Sequence, residues 1–440
     1  MMYKELENLL DFINNSPTAF HAAAQVKKEL KKENFKELDP EKKWNLKEGG
    51  KYFLSRNNSA VIAFITGEEF LDHGLRIISA HTDSPSLKVK PDPIIDSENQ
   101  YLLNTEIYGG PILNTWYDRE LSLAGKIVLK DGNSFTLKEK LVDLKENIAV
   151  IPNLAIHLNK KINEKGKIDK KKGLRALFTQ KVDLKEKNSK EKNSKESELN
   201  IKSLIAEFCS LDEKDILTEE LYLYPTQKAE LFGANKEYIS AGRQDNLSMV
   251  HAALMALLRA EPKPWTQMLV FYDNEEIGSN TPQGADSPFA ADLIERLIYN
   301  LGAVREDYYS ILEKSFLLSA DMAHAVHPNF SEEHDQNNRP LLNKGPVLKY
   351  NANQNYTTNA KTASVLIDLM EKADIPYQNY TNRSDKRGGS TIGPIAATQL
   401  GIKSMDIGSP LLAMHSSREL GGASDHQEMI KLMKLFLAEV

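Results

Sequence analysis

Glu275 and Glu276 stand side by side in the stretch Phe271-Tyr272-Asp273-Asn274-Glu275-Glu276-Ile277-Gly278. The run before them, Trp265 to Val270, reads as a buried strand: short, apolar, with a proline before it and charge after it. Two carboxylates at the mouth of such a strand cost free energy unless something positive meets them. Adjacent residues on an extended chain point opposite ways. One acid can therefore bind a metal while its neighbour faces a reacting water. That division of labour suits a hydrolase in which metal activates water and a second acid moves protons. A solvated acidic loop is the plain alternative, and by itself this stretch does not separate the two.

Four further stretches place acids or histidines in the same way. Leu75 to Ala80 is strand-like and delivers His81-Thr82-Asp83. The imidazole can ligate through one nitrogen while a nearby carboxylate accepts from the other, fixing tautomer and ring orientation. Ser240 to Asn246 leads into a helix whose apolar face is Leu247, Val250, Leu254 and Leu257. Asp245 stands at its start, as a metal-bridging carboxylate or as an ordinary N-cap favoured by the helix dipole. Phe316 to Ala320 delivers Asp321, with His324 and His327 three and six residues on. After a strand at Ile402–Ile407, expected to be the last, a loop leads to Met414-His415-Ser416-Ser417-Arg418-Glu419.

Strands alternating with helices imply an α/β domain. Its sheet should be mixed and largely parallel with helices on both faces, and such sheets hold ligands beyond the carboxyl ends of their strands. The five stretches would then meet at one edge. Two histidines and three carboxylates suit a pair of zinc-like ions ~3.5–4 Å apart. His81 and Asp321 would serve one ion, Glu276 and His415 the other, with Asp245 shared and Glu275 free as general base.

Other local signals are weaker. Lys4 to Ile13 has helical spacing, and Ser16-Pro17-Thr18 looks like a cap with proline at the first helical position, opening a helix to about Glu33. His21 in its first turn and His251 in mid-helix read better as packed than as catalytic residues. A glycine-rich turn at Arg387–Pro394 enters a helix, a natural place for backbone N–H groups to hold an anion or carbonyl. Ser424-Asp425-His426-Gln427 reads as a capping box for the closing helix.

At 440 residues the chain calls for two domains. A net charge of −6 argues against general nucleic-acid binding. The single cysteine, Cys209, excludes an internal disulfide and a cysteine-based zinc site. The first ten residues carry acids where a signal peptide needs an apolar run, and nothing approaches the ~18 apolar residues of a membrane span. A cytoplasmic protein is expected. From about Pro91 the chain turns to β-hairpin material, Asn104–Ile112, Leu121–Leu129 and Asn133–Leu141. A helix is expected over Ile201–Leu217 and a strand over Leu221–Tyr224. Residues 93–232 thus read as a β-rich domain inserted into a catalytic domain of residues 1–92 and 233–440. Within the insertion, the near-balanced Lys/Glu/Asn/Ser tract at about 183–199 should be a disordered surface loop rather than a nucleic-acid arm.

The motifs Ser79–Pro85, Ser240–Asn246, Asp273–Ser279, Ser319–His324 and Met414–Glu419, with Ser16–His21 near the start, resemble the aspartyl aminopeptidase / aminopeptidase I family of zinc metallopeptidases. They span nearly the whole chain in order; the tract at 185–197 is unlike the family core. The resemblance implies removal of one N-terminal residue from peptides by two divalent ions, zinc expected, manganese or cobalt possible. It implies His81, Asp245, Glu276, Asp321 and His415 as ligands, Glu275 as general base and Asp83 as the residue that orients His81. The insertion would be a dimerisation domain, in a homo-oligomer assembled as a dodecamer from dimers. His157, a possible third metal histidine on spacing alone, would by the resemblance contact substrate in a neighbouring subunit. His324, Lys349 and Tyr356 fall where acid-specific relatives contact substrate.

Lys349 would favour Asp or Glu at the peptide N-terminus by charge pairing, although the family also has members that prefer neutral residues. Two-metal carboxypeptidases and deacylases share His-x-Asp and Glu-Glu, and a non-catalytic binding shell is a rival of another class. The whole-chain match speaks against the first, and the intact ligand set and Glu275 against the second.

Overall fold

The structure is a computed structural model and describes residues 2–132, 135–164, 168–181, 200–386 and 388–439. The Lys/Glu/Asn/Ser tract and Arg387 lie outside the described residues. The chain divides into two compact units, Met1–Ser84 with Lys228–Val440, and Pro85–Gln227.

The discontinuous unit is built on a nine-stranded sheet. In spatial order its strands are Lys36–Glu37, Lys51–Arg56, Ala60–Ile65, Thr266–Tyr272, Leu75–His81, Phe316–Ala320, Lys403–Gly408, Val347–Tyr350 and Gln378–Thr381. The four from Thr266–Tyr272 to Lys403–Gly408 run parallel; Ala60–Ile65 and Val347–Tyr350 flank them antiparallel. The central strands are apolar throughout because both faces are covered. Ile78, Leu269 and Leu318 point to one core with the helices Met2–Asn14, Ala19–Lys32, Gln244–Leu258, Ala360–Lys372 and Ala423–Ala438. Ile77, Met268 and Leu317 point to another with Phe289–Asn300, Arg305–Lys314 and Ile392–Leu400. This is the expected three-layer α/β arrangement.

A second, five-stranded sheet belongs to the same unit, in the order Glu230–Phe232, Tyr238–Ala241, Glu419–Gly422, Pro410–Leu412, Ala323–His324. It corrects the expectation that Ile402–Ile407 ends the strands: two more follow. Gly408 lets the chain turn from one sheet to the other, since a Cβ there would lie 1.9 Å from the Asp321 carbonyl oxygen.

Pro85–Gln227 contains a six-stranded antiparallel sheet in the order Lys138–Asp143, Leu121–Leu129, Ile216–Pro225, Ser86–Ser97, Gln100–Tyr108, Ala176–Gln180. The helix Ile201–Cys209 packs on its core through Ile201, Ile205 and Ala206. That helix stops at Cys209, short of the Leu217 expected: Ser210 after it is left-handed, and the strand Ile216–Pro225 follows. Pro91 and Pro93 did not prevent a strand over Ser86–Ser97; its pairing instead shifts register between Val89 and Ile94. Proline removes a ladder donor, and such positions collect at bulges.

Two helix starts differ from expectation. The second helix begins at Ala19 with Thr18 as its N-cap, not at Ser16–Pro17; the Ser16 carbonyl is taken by the Arg243 guanidinium at 3.1 Å. The closing helix begins after Gly422 with no side-chain cap, and the Ser424 hydroxyl donates to Asn343 Oδ1 at 2.9 Å. At Ser424 a distant partner takes the hydroxyl that a local cap would use, whereas the Ser16 hydroxyl is buried without a partner. Among the described residues no helix is long and apolar enough to cross a membrane.

Candidate metal centre

Three parallel strands bring their carboxyl ends together. Tyr272 is in register with His81, and Ser319 with Ser79. Glu275, Glu276 and Asp321 therefore leave the sheet beside His81. The smaller sheet supplies the rest: Tyr238–Ala241 leads to Asp245, and His415 lies in the turn between Pro410–Leu412 and Glu419–Gly422. The five stretches meet, but from two sheets rather than along one edge.

Asp245 faces both histidines. Its Oδ1 is 3.4 Å from His81 Nε2 and its Oδ2 3.5 Å from His415 Nε2. Asp321 Oδ1 is 3.5 Å from His81 Nε2, and Glu276 Oε2 is 3.5 Å from His415 Nε2. Two donor sets result, His81/Asp245/Asp321 and Asp245/Glu276/His415, and a third overlapping set joins His81, Glu275 and Glu276. Asp245 is not the plain N-cap weighed as its alternative. It lies within the helix Gln244–Leu258 with non-helical dihedrals, and Arg243 holds the N-cap position without a side-chain bond.

The spacing fits cations better than it fits hydrogen bonds. Zinc sits about 2.0–2.2 Å from imidazole nitrogen or carboxylate oxygen, so neighbouring donors of a tetrahedral site lie about 3.3–3.5 Å apart. N–H···O bonds close up to about 2.9–3.0 Å. Asp245 Oδ1, Glu276 Oε1 and Asp321 Oδ1 are moreover buried without a hydrogen-bond partner. Such groups are rare unless an ion or water completes them.

Without cations the cluster has distorted titrations. Burial pulls the His81 imidazole down, but the Asp245, Asp321 and Asp83 carboxylates beside it outweigh this and raise it well above the ordinary range. His415 is likewise drawn down by burial, yet Asp245 and Glu276 raise it to about 10. Burial, with the neighbouring Asp321, Asp83 and Asp245 charges, pushes Glu275 up to about 8. Burial and Asp245 also push Glu276 up. Burial opposes ionisation of Asp245, but the two histidines outweigh it and hold the carboxyl low.

Asp83 holds both glutamates. Its Oδ1 accepts from the Glu275 N–H at 3.1 Å and its Oδ2 from the Glu276 N–H at 3.2 Å. His81 Nδ1 lies 3.4 Å from Asp83 Oδ1 and 3.1 Å from the Asp83 carbonyl oxygen. The second side of the imidazole is thus fixed by Asp83.

Lys349 is only 2% exposed. Its Nζ lies 3.5 Å from Asp321 Oδ2 and 5.2 Å from the centroid of the Tyr356 ring. Tyr380, which sequence reading did not single out, joins this group, with ring centroids 6.3 Å from Tyr356 and 5.9 Å from His324. Burial, then the Lys349 charge, lowers His324 to about 4. Asp406, also unforeseen, fixes the segment after Tyr356 by accepting from the Thr357 N–H at 2.7 Å and hydroxyl at 2.8 Å and from the Thr391 hydroxyl at 2.6 Å. Thr391, not the glycines before it, caps the helix Ile392–Leu400. His157 belongs to the other unit and is exposed there. His21 bonds through Nδ1 to the Thr18 hydroxyl at 2.9 Å.

An α/β sheet that gathers imidazoles and unpartnered carboxylates at its strand ends describes a metallohydrolase. The profile of the aminopeptidase I zinc metalloprotease family, M18, matches residues 12–437. The chain is 47% identical over 435 residues to a probable M18 family aminopeptidase 2 of Clostridium novyi (strain NT), covering 98% of each. Among solved structures it is similar to Ape4 in the Ape4–Nbr1 complex, at 34% identity and a TM-score of 0.94, covering 99% of this chain and 86% of that one. It is also similar to the S. cerevisiae mApe1 dodecamer, at 26% identity and a TM-score of 0.84, covering 98% and 95%. The chain belongs to the M18 family: it is a zinc metalloaminopeptidase, a hydrolase acting on peptides.

Proposed function

We propose that this aminopeptidase uses two zinc ions per subunit and prefers peptides with Asp or Glu at the N-terminus. One observation carries the two-ion reading: Asp245 presents one oxygen to each of two histidines, and each histidine has a further carboxylate at 3.5 Å. His81, Asp245 and Asp321 would hold one ion and Asp245, Glu276 and His415 the other. When bound, the ions supply Lewis acidity toward the scissile carbonyl and lower the pKa of water.

The chain's own residues do the rest. Glu275, held by its N–H to Asp83, takes a proton from the attacking water and returns it to the leaving amine. Asp83 keeps His81 and the glutamate pair in place. His157 is assigned to substrate across a subunit boundary, with Pro85–Gln227 as the dimerisation domain. The relative solved as a dodecamer supports the same assembly here, and a chain with one cysteine suits the cytoplasm.

Acid preference rests on Lys349, with His324 and Tyr356 beside it. A buried ammonium calls for an anion. Once Asp321 serves an ion, Lys349 would be left to pair with a substrate carboxylate. The 3.5 Å contact between Lys349 and Asp321 favours the second reading, a neutral-residue aminopeptidase in which that lysine is already satisfied.

The test is release of N-terminal residues from aminoacyl substrates with zinc, manganese or cobalt, and with chelator. Chelator-sensitive release of Asp and Glu well ahead of Leu is the expected result. Faster release of Leu or Met would overturn the acid preference and keep the mechanism. Release from N-blocked peptides would overturn the aminopeptidase role in favour of a two-metal carboxypeptidase or deacylase.

A further inference from the structure

Glu419 is a carboxylate that neither the donor sets nor the substrate contacts employ, yet it is 1% exposed. It opens the strand Glu419–Gly422 and lies opposite Ala241 in the antiparallel pair with Tyr238–Ala241. Its two oxygens go to two different segments. Oε2 accepts from the Asp245 N–H at 3.2 Å, and Oε1 accepts from the His415 N–H at 2.8 Å. The Gln244 side-chain amide, one residue before Asp245, donates to the Glu419 carbonyl at 2.9 Å. One residue thus ties together the backbones that carry Asp245 and His415.

The backbone it holds is not one the chain adopts freely. His415 has φ +66°, and Ala413, two residues before it, has φ +54°. Residues other than glycine keep such dihedrals where their surroundings over-determine them. The Glu419 carboxylate supplies that constraint at His415 by fixing its N–H. Asp83 offers a parallel at the other side of the cluster, where one carboxylate spans the Glu275 and Glu276 N–H groups. Changing a partner that orients a ligand typically costs about 10–100-fold in metal affinity or activity.

We propose that Glu419 is a positioning residue for one of the two ions, the one assigned to Asp245, Glu276 and His415. It sets the approach of Asp245 to His415 through their backbones and touches neither substrate nor metal. The proposal rests on the two-metal reading of those ligands.

The test is zinc titration of chelator-stripped wild type and Glu419→Gln against a competing chromogenic chelator, with circular dichroism to show that both are folded. Glutamine keeps the length but turns one acceptor into an NH2 group facing a backbone N–H. The expected result is one of two sites weakened by about 10–100-fold and the other, which shares Asp245, weakened less. Turnover should fall at limiting zinc and recover as zinc is raised. A folded E419Q that binds two ions with wild-type affinities would overturn the proposal. If E419Q does not fold, Glu419→Asp is titrated instead; it keeps the charge but is one methylene too short to reach both N–H groups. The same selective weakening is expected, and wild-type affinity at both sites overturns the proposal. Failure of both variants to fold also overturns it, since Glu419 would then serve the fold rather than one ion. A wild type that binds fewer than two ions refutes the underlying reading instead, and is seen before any variant is made.

Discussion

The helix Gln244–Leu258 carries two buried residues that belong to histidine clusters of opposite character. Asp245, at its start, stands 3.4–3.5 Å from two imidazoles, and its Oδ1 has no hydrogen-bond partner. His251, further along, has closed contacts: Nε2 lies 2.7 Å from Asn8 Oδ1, and Nδ1 lies 2.9 Å from His426 Nε2. If the Asn8 carbonyl accepts, His251 carries its proton on Nε2 and accepts on Nδ1 from His426. That leaves over a lone pair on His426 Nδ1, the one ring nitrogen of the pair without a partner. Burial alone does not separate the clusters, since Asp245 and His81 are buried like His251 and His426, although His415 is 32% exposed. What does is spacing and sign: one is acid-rich and held apart, the other is neutral and drawn together. The first needs cations to be complete, and the second closes on itself but for that one lone pair.

The largest expected effect tests the first half of that contrast. Asp245→Ala should lose zinc from both sites and reduce turnover to that of the chelated enzyme. Glu275→Gln should cost about 10²–10⁴-fold in turnover while keeping the zinc content of the wild type. Metal analysis beside kinetics separates them. Loss of zinc from E275Q would make Glu275 a ligand, and retained turnover would end its role as base.

The contrast also explains what could be read from the sequence. The five acid and histidine stretches that meet were legible because each follows an apolar strand-like run or opens a helix, and α/β topology puts such ends together. Glu419 and Asp406 were not. Each works by accepting from backbone or hydroxyl groups that register and chain crossing bring to it, and no spacing rule records those. The second sheet was missed because its strands are short: Ala323–His324 has two residues and Pro410–Leu412 three. Ser424 was read as a local cap, and its hydroxyl is claimed by Asn343 far along the chain; Ser16 was read as another, and there Arg243 takes the backbone carbonyl while Thr18 holds the cap position. His251 and His426 were read as a packed histidine and as part of a helix start, but their mutual contact joins residues 175 apart.

Stability against pH should differ in sign between the clusters. In the chelated protein His415 is raised to about 10, so its contribution is full below about 6.5 and is lost as pH rises through 10. Glu275, raised to about 8, acts in the same direction: its contribution is lost as pH rises from about 4.3 through 8. Zinc needs the deprotonated ligands and so binds better as pH rises. The gap in Tm between zinc-loaded and chelated protein should therefore widen from pH 6 to pH 8. A constant gap would mean that the cluster is not where zinc binds.

Lys349 lies between the extremes, buried like the histidine pair but with the Asp321 carboxylate at 3.5 Å. Lys349→Met removes the charge and keeps most of the volume. A hydrogen bond to a charged group contributes about 1.5–3 kcal/mol, so the preference for Glu over Leu in kcat/KM should fall by about 10–150-fold. An unchanged ratio would show that Asp321 holds the lysine even with substrate bound.

The smallest effect tests the self-contained cluster. Burial lowers His426 to about 3, and burial together with the His426 contact lowers His251 well below its ordinary value. A histidine held neutral in the fold but free to protonate at about 6.5 when unfolded contributes stability that is full above 6.5 and is lost as pH falls toward 3. Glutamine at 426 can still donate to His251 Nδ1 but does not titrate. Turnover at neutral pH should stay at the wild-type level, since the pair bonds to Asn8 and to itself. In acid, His426→Gln should lose less stability than wild type, a difference of up to about 2 kcal/mol at pH 5. Denaturant unfolding of the zinc-loaded proteins from pH 7 to pH 5 measures it. Parallel acid limbs would mean that the pair takes up its protons while folded, and the contrast with the acid-rich cluster would then rest on geometry alone.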